Sequence, residues 1–278
     1  MKKIAAITMA RNDDFFVEKW ISYYGAELGD ENLFVFLDGE DQNKPKNAGK
    51  ATIIVCEHKA QKRTRGDKTR ISRISLFAAD LLKTYDLVIG TDADEFLIVD
   101  PQVHQSLREY LSQISCSPSV SGLGIDVGQN LNTEKKIDRL LPLLSQREYA
   151  LVSSRYTKPV VISQAVTWGA GFHRIKNHNF FIDKNLYLFH FGSADFDMIK
   201  QKFSDNDKIA TGWNKHLQKR TKTITLVTKK TALNADIYLP IARKIQISLR
   251  PIFAWNKPTM GCLKLIIKIP DRFKNLKI

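Results

Sequence analysis

Along the first hundred positions, apolar residues fall into short, nearly continuous blocks at residues 4–8, 33–37, 51–56 and 87–90. Each block has strand length. Between the first two, Phe16, Trp20, Tyr23, Tyr24 and Leu28 recur at helical spacing. Asn12-Asp13-Asp14 supplies cap chemistry and acidic groups at the start of that helix, and Gly29 closes it. A second helical period, Ile71, Ile74, Ala78, Leu81 and Leu82, precedes the fourth block. The order is strand, helix, strand, strand, helix, strand. Continuous rather than alternating apolar strands imply a sheet covered on both faces, which predicts an α/β, Rossmann-like, largely parallel sheet flanked by helices. Ligands of such sheets bind beyond the carboxyl ends of the strands. Asn12, Asp38 and the pair Asp92 and Asp94 stand at those ends.

The later pattern is shorter in period. It predicts a helix from Pro101 to Leu111, a strand over 121–127, and a helix over 135–144 that Pro142 disturbs. Strands follow at 150–153, 160–163, 171–175 and 186–191, then a helix over 195–203. Four prolines, Pro240, Pro251, Pro258 and Pro270, limit element length in the remainder. The expected division is a catalytic domain over 1–203 and a basic C-terminal extension over 204–278.

Charge sharpens that division. The chain has 278 residues and a net charge of +14. Residues 1–199 carry 25 Lys/Arg and 25 Asp/Glu, whereas residues 200–278 carry 18 and 4. The excess lies entirely in the tail, so bulk charge is no argument for nucleic-acid binding by the core. No apolar run approaches the ~20 residues of a spanning helix, and the opening apolar stretch is short for a signal peptide. Three cysteines, Cys56, Cys116 and Cys262, show neither a CxxC nor a zinc spacing. An odd count without an export signal fits a reducing compartment, and a cytoplasmic location is expected.

Asp92-Ala93-Asp94 is the sharpest chemical feature. In an extended segment the two carboxylates would point to the same side and could share one hard cation, Mg²⁺ or Mn²⁺, with open positions for phosphate oxygens. A solvated acidic turn is the bland alternative, and placement after a buried strand favours the metal. Arg63, Arg65 and Lys68 fall between the third strand and its helix, where they serve as diphosphate contacts or as a solvated basic loop. His190 lies in the apolar run 187–191, which suits a hydrogen-bonded core histidine and a ligand equally. His173, among Gly169, Gly171 and Phe172, is the alternative histidine.

Several of these residues together resemble a known family. Residues 7–13 followed by Glu18-Lys19-Trp20, the run Phe34-Val35-Phe36-Leu37-Asp38-Gly39, the "DADEF" segment 92–96, and His190-Phe191-Gly192-Ser193 resemble family-2-like glycosyltransferases of the GT-A fold with their DxD motif. The likeness covers about residues 3–203. It implies transfer of a hexose-type sugar from a nucleotide-sugar donor to an acceptor hydroxyl, with inversion, in surface polysaccharide or lipopolysaccharide synthesis. It implies that Ala10, Arg11 and Asn12 line the nucleotide pocket and that Asp38 takes the base. Asp92 would sit by the ribose and metal, Asp94 would ligate the metal, and His190 would be a further ligand. Inverting members use a carboxylate as base, for which Asp126 is the first candidate and Asp195 the second.

Residues 241–269 interleave Arg243, Lys244, Arg250, Lys257, Lys264 and Lys268 with Ile, Phe and Trp. That composition suits an anionic membrane surface, which would put the enzyme on the inner face of the cytoplasmic membrane near a glycan or lipid-linked glycan acceptor. A basic subdomain packed on the core is the alternative, and nucleic acid a poorer one for want of a recognised motif. Rival functions are a nucleotidyltransferase, a non-catalytic nucleic-acid binder and a degenerate transferase. The first would be expected to carry a glycine-rich basic loop after the first strand. Residues 10–14 hold no glycine and two acids.

Overall fold

The computed structural model describes residues 1–59, 63–203 and 214–278. Its first half is β1 (Ile4–Ala10), α1 (Asp14–Leu28), β2 (Leu33–Asp38), β3 (Thr52–Cys56), α2 (Arg63–Leu81) and β4 (Leu87–Gly90). These strands are parallel in the order β3-β2-β1-β4. Helices cover both faces. Phe16, Val17, Trp20 and Tyr24 of α1 share one core with Ala6, Val35 and Ile89. Ile71, Ile74 and Ala78 of α2 share the other with Ala5, Ile7 and Val88. Successive β1 residues therefore feed opposite cores, which is why the strand has no polar alternation. The expected α/β, Rossmann-like architecture is the one that forms.

The second half runs β5 (Glu95–Val99), α3 (Leu107–Gln113), β6 (Ser119–Gly128), β7 (Tyr149–Val152), β8 (Val161–Ile162), β9 (Ile182–Ser193), α4 (Phe196–Phe203), α5 (Asn214–Lys229), β10 (Leu233–Asn234), α6 (Ala235–Ser248) and β11 (Ile266–Lys268). β8 joins β4 to β6 by antiparallel pairing. β9 lies between β5, antiparallel, and β6, parallel. Pairing is thus mixed beyond β4. β11 pairs with β7, and β10 with β11, so the tail adds strands to the same sheet. Residues 214–278 are built into the fold rather than appended to it, and α5 packs against β6, β7 and β9.

Three local expectations are corrected. Residues 135–142 form no helix. The Asp195 carboxylate accepts the Ile137 amide, and the Gln146 side chain accepts the Asp138 amide, so side chains satisfy backbone groups that a helix would have paired. A short 3₁₀ turn, Leu143–Gln146, follows Pro142. The segment 171–175 is a 3₁₀ turn at Ala170–Phe172 leading to an isolated bridge between Trp168 and Ile175. After Pro101 the chain makes a 3₁₀ turn and begins α3 only at Leu107, under a Ser106–Glu109 capping box.

Gly124 of β6 sets up the site. A Cβ there would run into the backbone of Ser153, Tyr156 and Thr157. Its absence lets that loop lie against β6, where the Gly124 amide donates to Thr157 Oγ1 at 2.8 Å. The same loop delivers Tyr156 and Lys158.

Candidate active site

The acidic turn leaves β4 at Thr91 and is fixed from three sides. The Thr91 amide donates to Ile7 O at 3.2 Å, Thr8 Oγ1 donates to Thr91 O at 2.9 Å, and Trp20 Nε1 donates to Thr91 Oγ1 at 2.8 Å. The Glu95 amide then bonds back to Asp92 O at 3.0 Å. Residues 92–95 are thus a tight turn, not the extended segment expected. The consequence is that the two aspartates find different partners.

Asp92 faces cations. Its Oδ1 accepts from Arg70 Nη2 at 2.8 Å and its Oδ2 from Lys158 Nζ at 2.9 Å. Lys158 also lies 2.5 Å from Glu95 Oε1, with Lys158 and Glu95 both fully buried. Burial alone would raise the Asp92 pKa, but Lys158 and Arg70 outweigh it and hold the carboxyl far below its usual range. Burial pushes Glu95 the other way, up to about 7, against the pull of Lys158 and with the charge of Asp92 adding to it.

Asp94 faces a histidine. Its Oδ2 lies 3.5 Å from His190 Nε2. Across the sheet, Glu95 is paired with His190 and His190 with Asp126, so β5, β9 and β6 bring the three into one row. His190 Nδ1 lies 2.7 Å from Asp126 Oδ1, whose other oxygen accepts from Thr223 Oγ1 of α5 at 2.6 Å. The Tyr156 ring stacks on the imidazole at 3.7 Å between centroids. Burial disfavours the imidazolium, yet Asp94 and Asp126 together hold the His190 pKa above its ordinary value.

These contacts decide how the residues fit a divalent cation. Asp94 offers a carboxylate and His190 offers Nε2, with Nδ1–H held by Asp126 in the arrangement that orients metal-binding histidines. Hard or borderline Mg²⁺ or Mn²⁺ suits that donor pair, with positions left for phosphate oxygens. Asp92 does not fit, because both its oxygens already face cations. Among the described residues no group of three His, Cys, Asp or Glu side chains converges as a metal site. The second expected metal ligand is thus replaced by a salt-bridged carboxylate.

The two base candidates are also corrected. Asp195 caps α4, accepting the Met198 amide at 2.9 Å and the Ile137 amide at 2.7 Å. Asp126 is buried and bonded through both oxygens, so it positions His190 rather than facing an acceptor. If Asp94 and His190 hold the cation, replacing Asp126 with Asn should weaken Mn²⁺ binding by about 10–100-fold, measured by titration calorimetry on folded protein. Rescue of that loss by Glu but not by Leu would identify the effect as orientation.

At the ends of β1 and β2, Ala10 is buried and Arg11 donates to Asp38 O at 2.7 Å and to both oxygens of Asp41. Asn12 has a left-handed backbone, φ 52°, unusual outside glycine, and is held there by reciprocal bonds with the Gln42 side chain. Asp38 Oδ2 lies 3.2 Å from His58 Nδ1. Asp41, Gln42 and His58 were not singled out in the sequence.

The basic candidates move most. Arg63, Arg65 and Lys68 belong to α2 and are helical rather than in a loop. The Arg63 side chain lies outside the described residues, and Arg65 and Lys68 are exposed. The residue of this helix that reaches the acidic turn is Arg70. A second cationic group comes from elsewhere. Burial, and then repulsion from Arg174, Arg155 and Lys158, lowers the Lys257 pKa. Burial and then Lys158, Lys257 and Arg155 keep His173 neutral, far below its usual value. His173 Nδ1 lies 2.8 Å from Arg155 O. Gathering like charges around a neutral histidine suits an anionic ligand.

No family model and no curated protein matches the chain. Many solved structures are similar to it, and two of them illustrate the likeness. One is a CMP:2-keto-3-deoxy-manno-octonic acid synthetase complexed with CTP, at 11% identity, covering 80% of this chain and 87% of that one, with a TM-score of 0.31. The other is a mannose-1-phosphate geranyltransferase from Thermus thermophilus, at 10% identity, covering 86% and 68%, also at 0.31. Likeness at that level assigns neither a family nor an activity, so the geometry of the site has to carry the function.

Proposed function

We propose that the chain is a divalent-metal-dependent glycosyltransferase of the GT-A type. It would move a hexose-type sugar, with inversion, from a nucleotide-sugar donor to an acceptor hydroxyl. The acceptor would be a glycan or lipid-linked glycan of surface polysaccharide or lipopolysaccharide synthesis, met at the inner face of the cytoplasmic membrane. The observation that supports this reading is the split acidic turn. At the carboxyl end of β4, Asp94 faces His190 while Asp92 is locked between Arg70 and Lys158.

Each residue then has a task. Asp94 and His190 would hold Mn²⁺ or Mg²⁺, which when bound neutralises charge developing on a diphosphate leaving group. Asp126 and Tyr156 fix the imidazole. Arg70 and Lys158 keep Asp92 ionised. Arg155, Arg174 and Lys257, rather than Arg63, Arg65 and Lys68, would supply the positive field that a diphosphate requires. Ala10, Arg11, Asn12 and Asp38 form the nucleotide rim at the ends of β1 and β2.

A thermal-shift panel of nucleotide-sugars with and without Mn²⁺ tests the reading. One donor should raise Tm by ~5–10 °C at about a hundredfold excess over its Kd, and only with metal present. Anomeric analysis of the product by NMR then reads inversion. Stabilisation by a nucleoside triphosphate, with release of pyrophosphate on adding a sugar phosphate, would instead establish a nucleotidyltransferase.

A further inference from the structure

α6 is amphipathic in an unusual sense. Its inner side buries Ala235, Leu239, Ala242 and Gln246. Its outer stripe carries Ile237, Ile241 and Lys244 at helical spacing, with Ile247 beside them, and all four are exposed. The chain then passes exposed Leu249 into a turn whose tip shows Ile252 fully and Phe253 at 81% to solvent, followed by Trp255 at 59%.

That turn is built, not loose. The Arg250 guanidinium donates from Nη1 to Gln246 O, Ile247 O and Leu249 O, and from Nε to Trp255 O at 2.8 Å. It also lies 4.2 Å over the Phe180 ring. The Ala254 amide closes the turn on Pro251 O at 3.1 Å, and Asn256 Nδ2 ties its base to Ile175 O at 2.6 Å. One arginine therefore holds the end of α6 and the far side of the turn together, and two large apolar side chains are held outward. No Asp or Glu occurs from residue 237 to residue 270, while Lys244 and Lys264 are exposed.

From this arrangement we infer that the outer face of α6 and the turn 249–255 form a docking surface for an anionic phospholipid bilayer. Ile252 and Phe253 enter the acyl boundary, Trp255 sits at headgroup level, and Lys244 and Lys264 meet lipid phosphates. Charge selects this occupant over a second copy of the chain. A twofold interface would set this lysine-bearing surface against itself, and the one acid of α6, Asp236, is already paired with Arg272 at 2.7 Å. No helix among the described residues is long and apolar enough to cross a membrane, so the contact is peripheral. The surface is independent of the transfer reaction proposed above, and it would bring that reaction to acceptors held at a bilayer.

The test is co-sedimentation of the full chain with phosphatidylcholine vesicles, with and without phosphatidylglycerol, at low and high salt. Binding is expected only with phosphatidylglycerol, and salt should weaken it. The double substitution Ile252→Ser and Phe253→Ser should lower partition at least about tenfold, since two apolar side chains no longer leave water. Lys244→Gln with Lys264→Gln should remove most of the dependence on anionic lipid. Both variants alter exposed side chains, so their Tm and their donor-induced thermal shift should match wild type. Absence of wild-type binding to anionic vesicles, or binding unchanged in the Ile252/Phe253 variant, overturns the inference. A dimer in sedimentation velocity that this variant dissociates would do so as well, by showing that a second copy covers the face. Vesicle partition and donor response are separate readouts, so either can fail alone.

Discussion

Replacing Asp94 with Ala is expected to abolish Mn²⁺-dependent stabilisation by the donor and to lower turnover at least about hundredfold. The site offers two donor atoms of the right kind for such a cation, Asp94 Oδ2 and His190 Nε2, 3.5 Å apart. Without the carboxylate one neutral nitrogen remains, which is a poor hold for a hard divalent ion. Loss of the charge stabilisation a bound metal supplies is worth several kcal/mol, and about 2.7 kcal/mol already corresponds to a hundredfold in rate. The Asn variant keeps the size and removes the charge, so it should fail nearly as badly. Calorimetric titration with Mn²⁺ and steady-state kinetics on the same preparations give the answer. An Ala variant with turnover within about threefold of wild type would remove Asp94 from the chemistry. Asp92→Asn should behave differently. It would strand Lys158 and Arg70 beside one less charge, and its first symptom should be lost stability rather than lost metal affinity.

That contrast marks what the sequence could and could not reveal. The strands β1 to β4 and the helices between them were legible because each is a local apolar pattern, and Asn12, Asp38 and the acidic triplet stand at the ends of those strands. The fate of the triplet was not local. Lys158 stands sixty-six positions from Asp92 in sequence, and nothing in Asp92-Ala93-Asp94 itself announces that a lysine will take one carboxylate. His190 looked equally like a core histidine and a ligand. The register of β5, β9 and β6, which sets it between Glu95 and Asp126 and next to the turn that carries Asp94, is a long-range property of the sheet. Helix phase explains the basic residues. The helical phase of α2 leaves Arg65 and Lys68 exposed and turns Arg70 toward Asp92. A run of Arg and Lys carries no such phase until the apolar period of Ile71, Ile74 and Ala78 is known to continue back through it. The segment 135–142 misled for another reason. Its apolar spacing was helical, but Asp195 and Gln146 offered its amides better-placed acceptors. Gly124, a glycine inside an apolar strand, marks the close approach of backbone that carries Tyr156 and Lys158 to the site.

Lys158→Met should cost about 3–5 kcal/mol of stability at pH 8 and measurably less at pH 5, read by urea unfolding in the presence of EDTA. Lys158 is the cation shared by Asp92 and Glu95, at 2.9 and 2.5 Å. Methionine fills similar space without the charge, so the change isolates the ion pair. Removing one member of a buried pair leaves the other charged and unpaired, which is the costly case. Asp92 retains Arg70, but Glu95 is fully buried and has Lys158 as its cation. The pH dependence follows from Glu95. Its folded pKa is about 7 against an ordinary 4.5, so between those values the folded chain holds a proton that the unfolded chain has released. Stability from this group is therefore complete below about pH 4.5 and falls as pH rises through 7. Removing Lys158 removes the attraction that opposes burial, so the folded pKa climbs further and the decline extends to higher pH. At pH 5 Glu95 is neutral in both folded proteins, and what is lost there is mainly the Lys158 share of the Asp92 interaction. Asp92 has the opposite sign, because its depressed pKa gives stability that is present above about pH 4 and lost only in acid. The two proteins should thus diverge with rising pH. Parallel stability curves from pH 5 to 8 would show that Glu95 is not the group Lys158 compensates.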